Sequence, residues 1–185
     1  MRPFLILIEQ IFPVITAENE ISTDEEEIRQ MATIGSQKGL IEADEAAMIF
    51  KVFQLNDLKA KDLMIPRVSA PCLDGSSNLD EISKLIMSDN SPWWVILGDK
   101  VDKIQGVVKR EKMLAELING ENKKSLSEIC EPVEYIPEMI KADQLLKRFD
   151  KNNKGVKVVV DEFGGFVGII GAEAGLSVLA GWWKK

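Results

Sequence analysis

The feature that most constrains this fold is an internal repeat. Four short segments recur in the second half of the sequence: Met64–Pro66 at Cys130–Pro132, Val95–Asp99 at Lys157–Asp161, Gly106–Val108 at Gly168–Ile170, and Gly120 at Gly181. Their offsets lie between 61 and 66 residues, and small insertions account for the drift. A repeated unit this short cannot bury its apolar face alone. We therefore expect two similar halves that pack sheet against sheet and leave a cleft between them.

Each half has the same predicted order of elements. Alternating apolar residues predict strands, and apolar residues three and four positions apart predict helices. The predicted strands are Val68–Leu73, Trp93–Leu97, Ile104–Val108, Val133–Ile136, Val156–Val160 and Phe166–Ile170. The predicted helices are Leu79–Ser88, Arg110–Ile118, Ala142–Phe149 and Ala172–Leu179. The expected fold is therefore α/β, with two pseudo-symmetric β-α-β-β-α halves at residues 57–120 and 121–185.

A helical hairpin is expected before the two halves, within an N-terminal segment at residues 1–56. Ser22 stands three residues before a glutamate, which is the spacing of a capping box, and acidic residues fill the following turn. Gly39 is typical of the end of a helix. The apolar residues of Ala43–Phe53 share one face and predict the second helix.

Composition excludes several classes of function. The chain has 23 basic and 30 acidic residues and no basic stripe, so nucleic acid is not an expected partner. It has no histidine, which removes the commonest general base and a common metal ligand. Cys72 and Cys130 are expected to be reduced core residues. We therefore predict no enzymatic activity, no catalytic residues and no resident metal site.

Two charged groups leave alternatives open. The acidic residues of Glu18–Glu27, with Glu42, Asp44 and Glu45, suit either a solvated helix face or a magnesium site, and the solvated face is favoured. Lys109, Arg110 and Lys112 stand in the first turn of a predicted helix, where the macrodipole disfavours cations. They indicate either an exposed turn, which is favoured, or an anionic partner.

The N-terminal apolar run is short. It extends only from Phe4 to Ile8, and Glu9 interrupts it. A membrane span needs about 20 apolar residues and a signal peptide a core of about 7–15. The segment is therefore either a packed or interfacial helix, or the end of a membrane domain, and we favour the second interpretation.

Three motifs carry a resemblance to a known family. Gly39–Glu45 resembles the acidic helical linker of CorC/HlyC/CNNM proteins, and Asp62–Arg67 resembles the entry to their first CBS repeat. Val158–Ile170 resembles the hairpin of their second CBS repeat. The resemblance implies tandem CBS repeats on the cytoplasmic face of the membrane, covalently linked to a membrane domain in the parent protein. Met1–Val14 would then be its juxtamembrane end.

The resemblance also implies a function. In this family the CBS pair is a dimeric cytosolic regulator of divalent-cation transport, chiefly of magnesium. Relatives bind an adenine nucleotide in the cleft between the repeats. A homodimer is therefore expected here, and ATP or AMP with magnesium is the expected ligand.

The residues carried over from the family's ligand site match it poorly. The family's ligand-contacting stretch corresponds to Ser91, Pro92, Trp93, Trp94 and Val95, where proline replaces its arginine and tryptophan its proline. The positions of its threonine and aspartate are Gly171 and Ala174. Loss of that carboxylate removes charge-assisted hydrogen bonds worth about 1.5–3 kcal/mol each. We therefore expect weak ATP or AMP binding, or none.

Two alternatives remain besides the nucleotide-sensing regulator. One is a dimerisation scaffold whose nucleotide pocket has degenerated, and the other is a free-standing nucleotide sensor. Neighbours in a strand point to opposite faces, so at most one of Trp93 and Trp94 can stack on a base in the cleft. Asp161 and Glu162 precede two glycines, so a tight turn is favoured over a carboxylate pair for acid–base chemistry.

Overall fold

The computed structural model of this protein describes residues 24–99, 103–149 and 155–180. The chain divides into two compact units, residues 1–49 and residues 50–185. Ser22, the apolar run Phe4–Ile8 and the segment Met1–Val14 lie outside the described residues, as does Gly181. None of the described helices is both long and apolar enough to span a bilayer.

The smaller unit contains helix α1, Glu25–Gln37, and the start of helix α2, Ala43–Asp57. Asp24 caps α1, because its carboxylate accepts a hydrogen bond from the Glu27 amide at 2.9 Å. Gly39 ends the helix as predicted. Its φ of 70° and the bond from the Leu40 amide to the Gly35 carbonyl form a Schellman motif. Helix α2 runs four residues beyond its predicted end at Phe53.

The larger unit alternates short strands and helices. Its first half contains α3 Ala60–Leu63, β1 Ile65–Pro66, β2 Cys72–Asp74, α4 Leu79–Ser88, β3 Trp93–Leu97, β4 Ile104–Lys109 and α5 Arg110–Ile118. Its second half contains α6 Leu126–Ile129, β5 Tyr135–Pro137, α7 Ala142–Arg148, β6 Val156–Val160, β7 Phe166–Gly171 and α8 Glu173–Ala180. Apart from β2 and the short elements α3, β1 and α6, every one of these was predicted to within two residues at each end.

The sheets confirm two pseudo-symmetric halves. One sheet has the order β2-β3-β4 and the other β1-β7-β6-β5, each with one parallel pair beside an antiparallel hairpin. Val95 pairs with Cys72 and Val107, and Val158 pairs with Tyr135 and Ile169. The equivalent residues of β3 and β6 are therefore 63 positions apart, one more than the sequence match of Val95–Asp99 with Lys157–Asp161 indicated.

A segment of each half pairs with the edge of the other half's sheet. Strand β1 pairs antiparallel with β7, with Ile65 opposite Ile169. In the equivalent place, Glu131 exchanges two main-chain hydrogen bonds of 2.9 Å with Val107 of β4. The two halves are thus interlocked through their main chains.

Two glycines make this crossing possible. A Cβ at Gly106 would overlap the carbonyl oxygen of Glu131, and a Cβ at Gly168 would overlap that of Ile65. Both glycines therefore allow a strand to approach more closely than any side chain would permit. This explains why the Gly-Val-Val and Gly-Ile-Ile matches recur in the sequence.

The strand predicted at Val68–Leu73 is wrong in its first four residues, and only Cys72 and Leu73 belong to β2. The amides of Ser69 and Ala70 both bond to the Pro66 carbonyl, which forms a turn and leaves Val68 94% exposed. Pro71 has no amide to donate, so the strand begins only at Cys72. The strand predicted at Val133–Ile136 likewise begins two residues later, at Tyr135.

Three apolar clusters hold the larger unit together. One lies between the first sheet and its helices, around Ile86 and Trp94, and its counterpart in the second half surrounds Ile136 and Leu145. The third lies between the two sheets and includes Val95, Val107, Val158 and Ile169. The predicted sheet-to-sheet packing is therefore confirmed, and the candidate site lies at one end of this third cluster.

Candidate functional site

A cleft lies where the third cluster ends, and the space within it, together with the open solvent at its mouth, is about 330 Å³. The first half lines it with Ile65, Pro71, Ser91, Pro92 and Trp93. The second half lines it with Val156, Ile169, Gly171 and Glu173. Its walls are mostly apolar, and a ligand bound there would touch both halves.

Strand alternation decides which tryptophan reaches the cleft. Trp93 lines it, whereas Trp94 is 2% exposed and packs among the helices of the first half. The Trp94 indole Nε1 donates to the Ser91 carbonyl oxygen at 3.1 Å, so its polar atom is satisfied. The prediction that at most one of the two tryptophans faces the cleft is confirmed.

The Trp93 indole is held from two sides. Lys109 stands opposite it in the β3–β4 ladder, with Nζ 5.1 Å from the ring centroid, which is within cation–π range. From the other half, just before β6, a Cβ at Gly155 would lie 3.3 Å from the indole Nε1. Gly155 therefore leaves room for the ring edge, and its φ of 66° also favours glycine.

Ser91 is positioned by the turn that precedes β3. Its main-chain amide donates to Asp89 Oδ1 at 2.7 Å, and hydrogen bonds from Ser91 hold the pKa of the Asp89 carboxyl below its ordinary value. Pro92 follows at once and fixes the chain direction. Ser91 thus supplies a polar group to the rim of an otherwise apolar wall.

Glu173 brings a carboxylate to the cleft. It is the first residue of α8, where the helix macrodipole favours a negative charge. Its carboxylate lies against Gly171 and fills the space that a Cβ there would need. The glycine found where the family has threonine therefore makes room for this acidic group.

The structure divides the predicted site residues into two groups. Ser91, Trp93 and Gly171 line the cleft. Trp94, Val95 and Ala174 do not, because Trp94 and Val95 are buried in apolar clusters and Ala174 packs on the helix side of the second sheet. The sequence analysis missed Glu173, because the family's motif aligns its aspartate with Ala174, whereas the carboxylate of this chain is one residue earlier.

The residues fit part of an adenine nucleotide. An indole face and aliphatic walls suit a flat base, and the Ser91 hydroxyl and Glu173 carboxylate suit sugar hydroxyl groups. Among the described lining residues there is no lysine or arginine, and the ionisable side chain is acidic. The described lining residues therefore offer groups that can bind a base and a sugar, and they offer no lysine or arginine to the phosphates.

The basic residues at the start of α5 are engaged within the protein. Arg110 Nε donates to the Ile86 carbonyl at 2.8 Å, at the C-terminal end of α4. Lys112 Nζ lies 3.1 Å from Glu131 Oε1. These contacts tie α5 to α4 and to the crossing segment and account for both side chains without an anionic partner.

The turn predicted at Asp161 is confirmed. Asp161 Oδ1 accepts from the amides of Phe163 and Gly165, at 2.9 and 2.7 Å, and Gly164 has a φ of 81°. The carboxylate is therefore used to close the β6–β7 hairpin. Within the described residues, no three histidine, cysteine, aspartate or glutamate side chains are grouped as metal ligands.

Sequence comparison finds relatives along most of the chain, although no family model matches it. A UPF0053 protein of Synechocystis is 40% identical over 180 residues, which cover 97% of this chain and 52% of that protein. The magnesium and cobalt efflux protein CorC of Vibrio cholerae is 25% identical over 158 residues, or 85% of this chain and 54% of that protein. The chain thus spans about half the length of these relatives.

Structural comparison finds the same fold in solved proteins. The CBS domain of a bacterial CNNM/CorC family Mg2+ transporter has a TM-score of 0.76 at 25% identity, covering 88% of this chain and 99% of that one. A structure of such a domain in complex with ATP has a TM-score of 0.69 at 25% identity, covering 74% and 97%.

Proposed function

Since this chain belongs to the CorC/HlyC/CNNM family of CBS-pair proteins, we propose that it is the regulatory, non-catalytic module of a divalent-cation transport protein, chiefly for magnesium. Its regulatory ligand contains adenosine and binds in the cleft between the two repeats. The observation that carries this proposal is the apolar cleft with Trp93 on one wall and Glu173 on the other. A similar CBS domain solved with ATP supports the choice of ligand.

The arrangement of the cleft suits a regulatory role. Its walls come from both halves, and Ile65 belongs to the strand that crosses between them. A ligand that touches both halves binds best to one relative arrangement of them, and so shifts the population toward it. In the parent protein, residues 57–120 and 121–185 would form the two repeats on the cytoplasmic side of a membrane domain. Residues 1–56 would connect the repeats to that domain and transmit the change in their arrangement to it.

We also propose that the module forms a homodimer. Met87, Ile118 and Leu176 expose apolar side chains on three different helices of the larger unit. Helical faces of this kind are suited to packing against a second copy. Sedimentation at several concentrations tests the dimer independently of any ligand.

Isothermal titration of the whole chain with adenosine, AMP and ATP tests the ligand. We expect saturable binding of at least one of the three. Trp93→Ala should weaken it by about tenfold, because base–aromatic stacking is worth about 1–3 kcal/mol. Phe163→Ala, at the exposed tip of the β6–β7 hairpin, is the matched aromatic control and should leave binding unchanged. Absence of binding by all three ligands would favour the degenerate dimerisation scaffold.

A further inference from the structure

Glu173 gives the cleft a fixed negative charge. Its carboxylate lies over Gly171, at the beginning of α8, an eight-residue helix. The N-terminus of a helix attracts an anion, and here the chain's own carboxylate takes that place. A phosphate group entering beside it would meet a like charge.

The ammonium group of Lys109 contacts a ring that lines the cleft, but it does not line the cleft itself. Lys109 Nζ lies over the Trp93 ring, 5.1 Å from its centroid, and Lys109 is not among the residues that line the cleft. Glu173 is exposed to solvent, so salt screens the electrostatic repulsion between its carboxylate and a phosphate group.

The same carboxylate suits an uncharged sugar. An ionised carboxylate is an acceptor only, and a ribose offers hydroxyl groups that donate. Glu173 thus attracts the part of the ligand that carries hydroxyl groups and repels the part that carries phosphates. We infer that Glu173 sets the specificity of the cleft, which binds adenosine more tightly than AMP and AMP more tightly than ATP. This inference rests on the proposed function.

The test compares the three ligands by titration calorimetry in magnesium-free buffer at low salt. In the unmodified chain we expect ATP to bind at least tenfold more weakly than adenosine. Glu173→Gln keeps the shape of the side chain but removes its charge, and it should bring the two affinities to within about threefold. Glu162→Gln makes the same charge change at the hairpin tip, away from the cleft, and should leave the ratio unchanged.

Each contrary result has a distinct meaning. If ATP binds most tightly and Trp93→Ala weakens it, the proposed function stands and the inference about Glu173 is overturned. The inference also falls if Glu173→Gln leaves the ratio unchanged, or if Lys109→Met weakens ATP but not adenosine, because Lys109 would then hold the phosphates. If none of the three ligands binds, the proposed function itself fails.

Discussion

Trp94 and Lys157 occupy equivalent positions in the two sheets. Trp94 pairs with Val108, and Lys157 pairs with Ile170, one residue further along the ladder from Val95 and Val158. Both side chains are buried on the helix side of their sheet. The second half thus holds a lysine where the first half holds an indole, and a buried ammonium group needs a partner.

Glu134 is that partner. Lys157 Nζ lies 2.6 Å from Glu134 Oε2 and 5.3 Å from the centroid of the Phe149 ring, while Arg148 Nη1 lies 3.0 Å from Glu134 Oε1. Lys157 is 6% exposed, whereas the Glu134 side chain is 43% exposed. Lys157 therefore needs the ion pair more than Glu134 does, because water can solvate the Glu134 carboxylate but not the buried ammonium group.

We predict that removing the acid destabilises the protein more than removing the base. Glu134→Gln leaves Lys157 buried without its counter-charge from the described residues and should lower the free energy of unfolding by about 3 kcal/mol. Lys157→Met leaves Glu134 with water and Arg148 and should cost less than about 1 kcal/mol. Urea unfolding at neutral pH measures both. Equal losses would show that Lys157 is not the dependent partner.

The same pair predicts a pH dependence. The hydrogen bond from Lys157 is the largest cause that lowers the Glu134 pKa below its ordinary value of 4.5. A lowered folded-state pKa gives stability that is present above the ordinary value and is lost as the pH falls through the lowered one. Below about pH 4.5 the unmodified chain should therefore lose more stability than Glu134→Gln. Parallel losses in the two proteins would contradict this assignment.

At the level of elements, sequence periodicity predicted those helices and strands that are long enough to show a period in their own residues. Helices α4 and α5 were predicted to the residue, because their apolar residues follow the helical period over two or more turns. Strand β1 has two residues, and α3 and α6 have four each, which is too short for any period to be recognised. These elements depend on pairing with the other half, which no local pattern reveals.

The candidate site was predicted in part for the same reason. The repeat and strand alternation indicated a cleft and one tryptophan facing it, and Trp93 lies there. The repeat did not indicate Glu173, since its contact with Gly171 arises from the way α8 begins after β7. Ile65 reaches the cleft through the strand that crosses between halves, so the sequence could not place it.

The crossing glycines give a prediction about these elements. Gly168→Ala would place a methyl group against the Ile65 carbonyl, and Gly106→Ala would place one against that of Glu131. Each should lower the free energy of unfolding by about 1–3 kcal/mol, as overpacking does. Gly98→Ala is the control, because its nearest main-chain atom, the Lys103 carbonyl oxygen, is 3.2 Å from the added carbon. If Gly98→Ala lowers the denaturant midpoint more than Gly106→Ala and Gly168→Ala do, the two crossing glycines are not the positions where a side chain is least tolerated.

At the scale of the larger unit, the exchange of segments makes the two halves dependent on each other. The amide of Ala60 donates to the Ile140 carbonyl, and the amide of Leu126 donates to that of Ser77, at 2.9 and 3.0 Å. These and the other main-chain hydrogen bonds between the halves, with the third apolar cluster, would have to be broken to unfold one half alone. Local opening is favoured only where few buried contacts are lost.

We therefore predict that residues 50–185 unfold as one cooperative unit. Ile86→Ala removes a fully buried side chain from the first half and should cost about 2–5 kcal/mol. Hydrogen exchange should show the same loss of protection in β6 and β7 of the second half as in β3 and β4. Leu145→Ala, buried in the second half, is the reciprocal variant and should lower the protection of β3 and β4 equally. Loss of protection confined to the mutated half would mean that the crossing segments join two independently folding repeats, and a ligand in the cleft could then stabilise one repeat without the other.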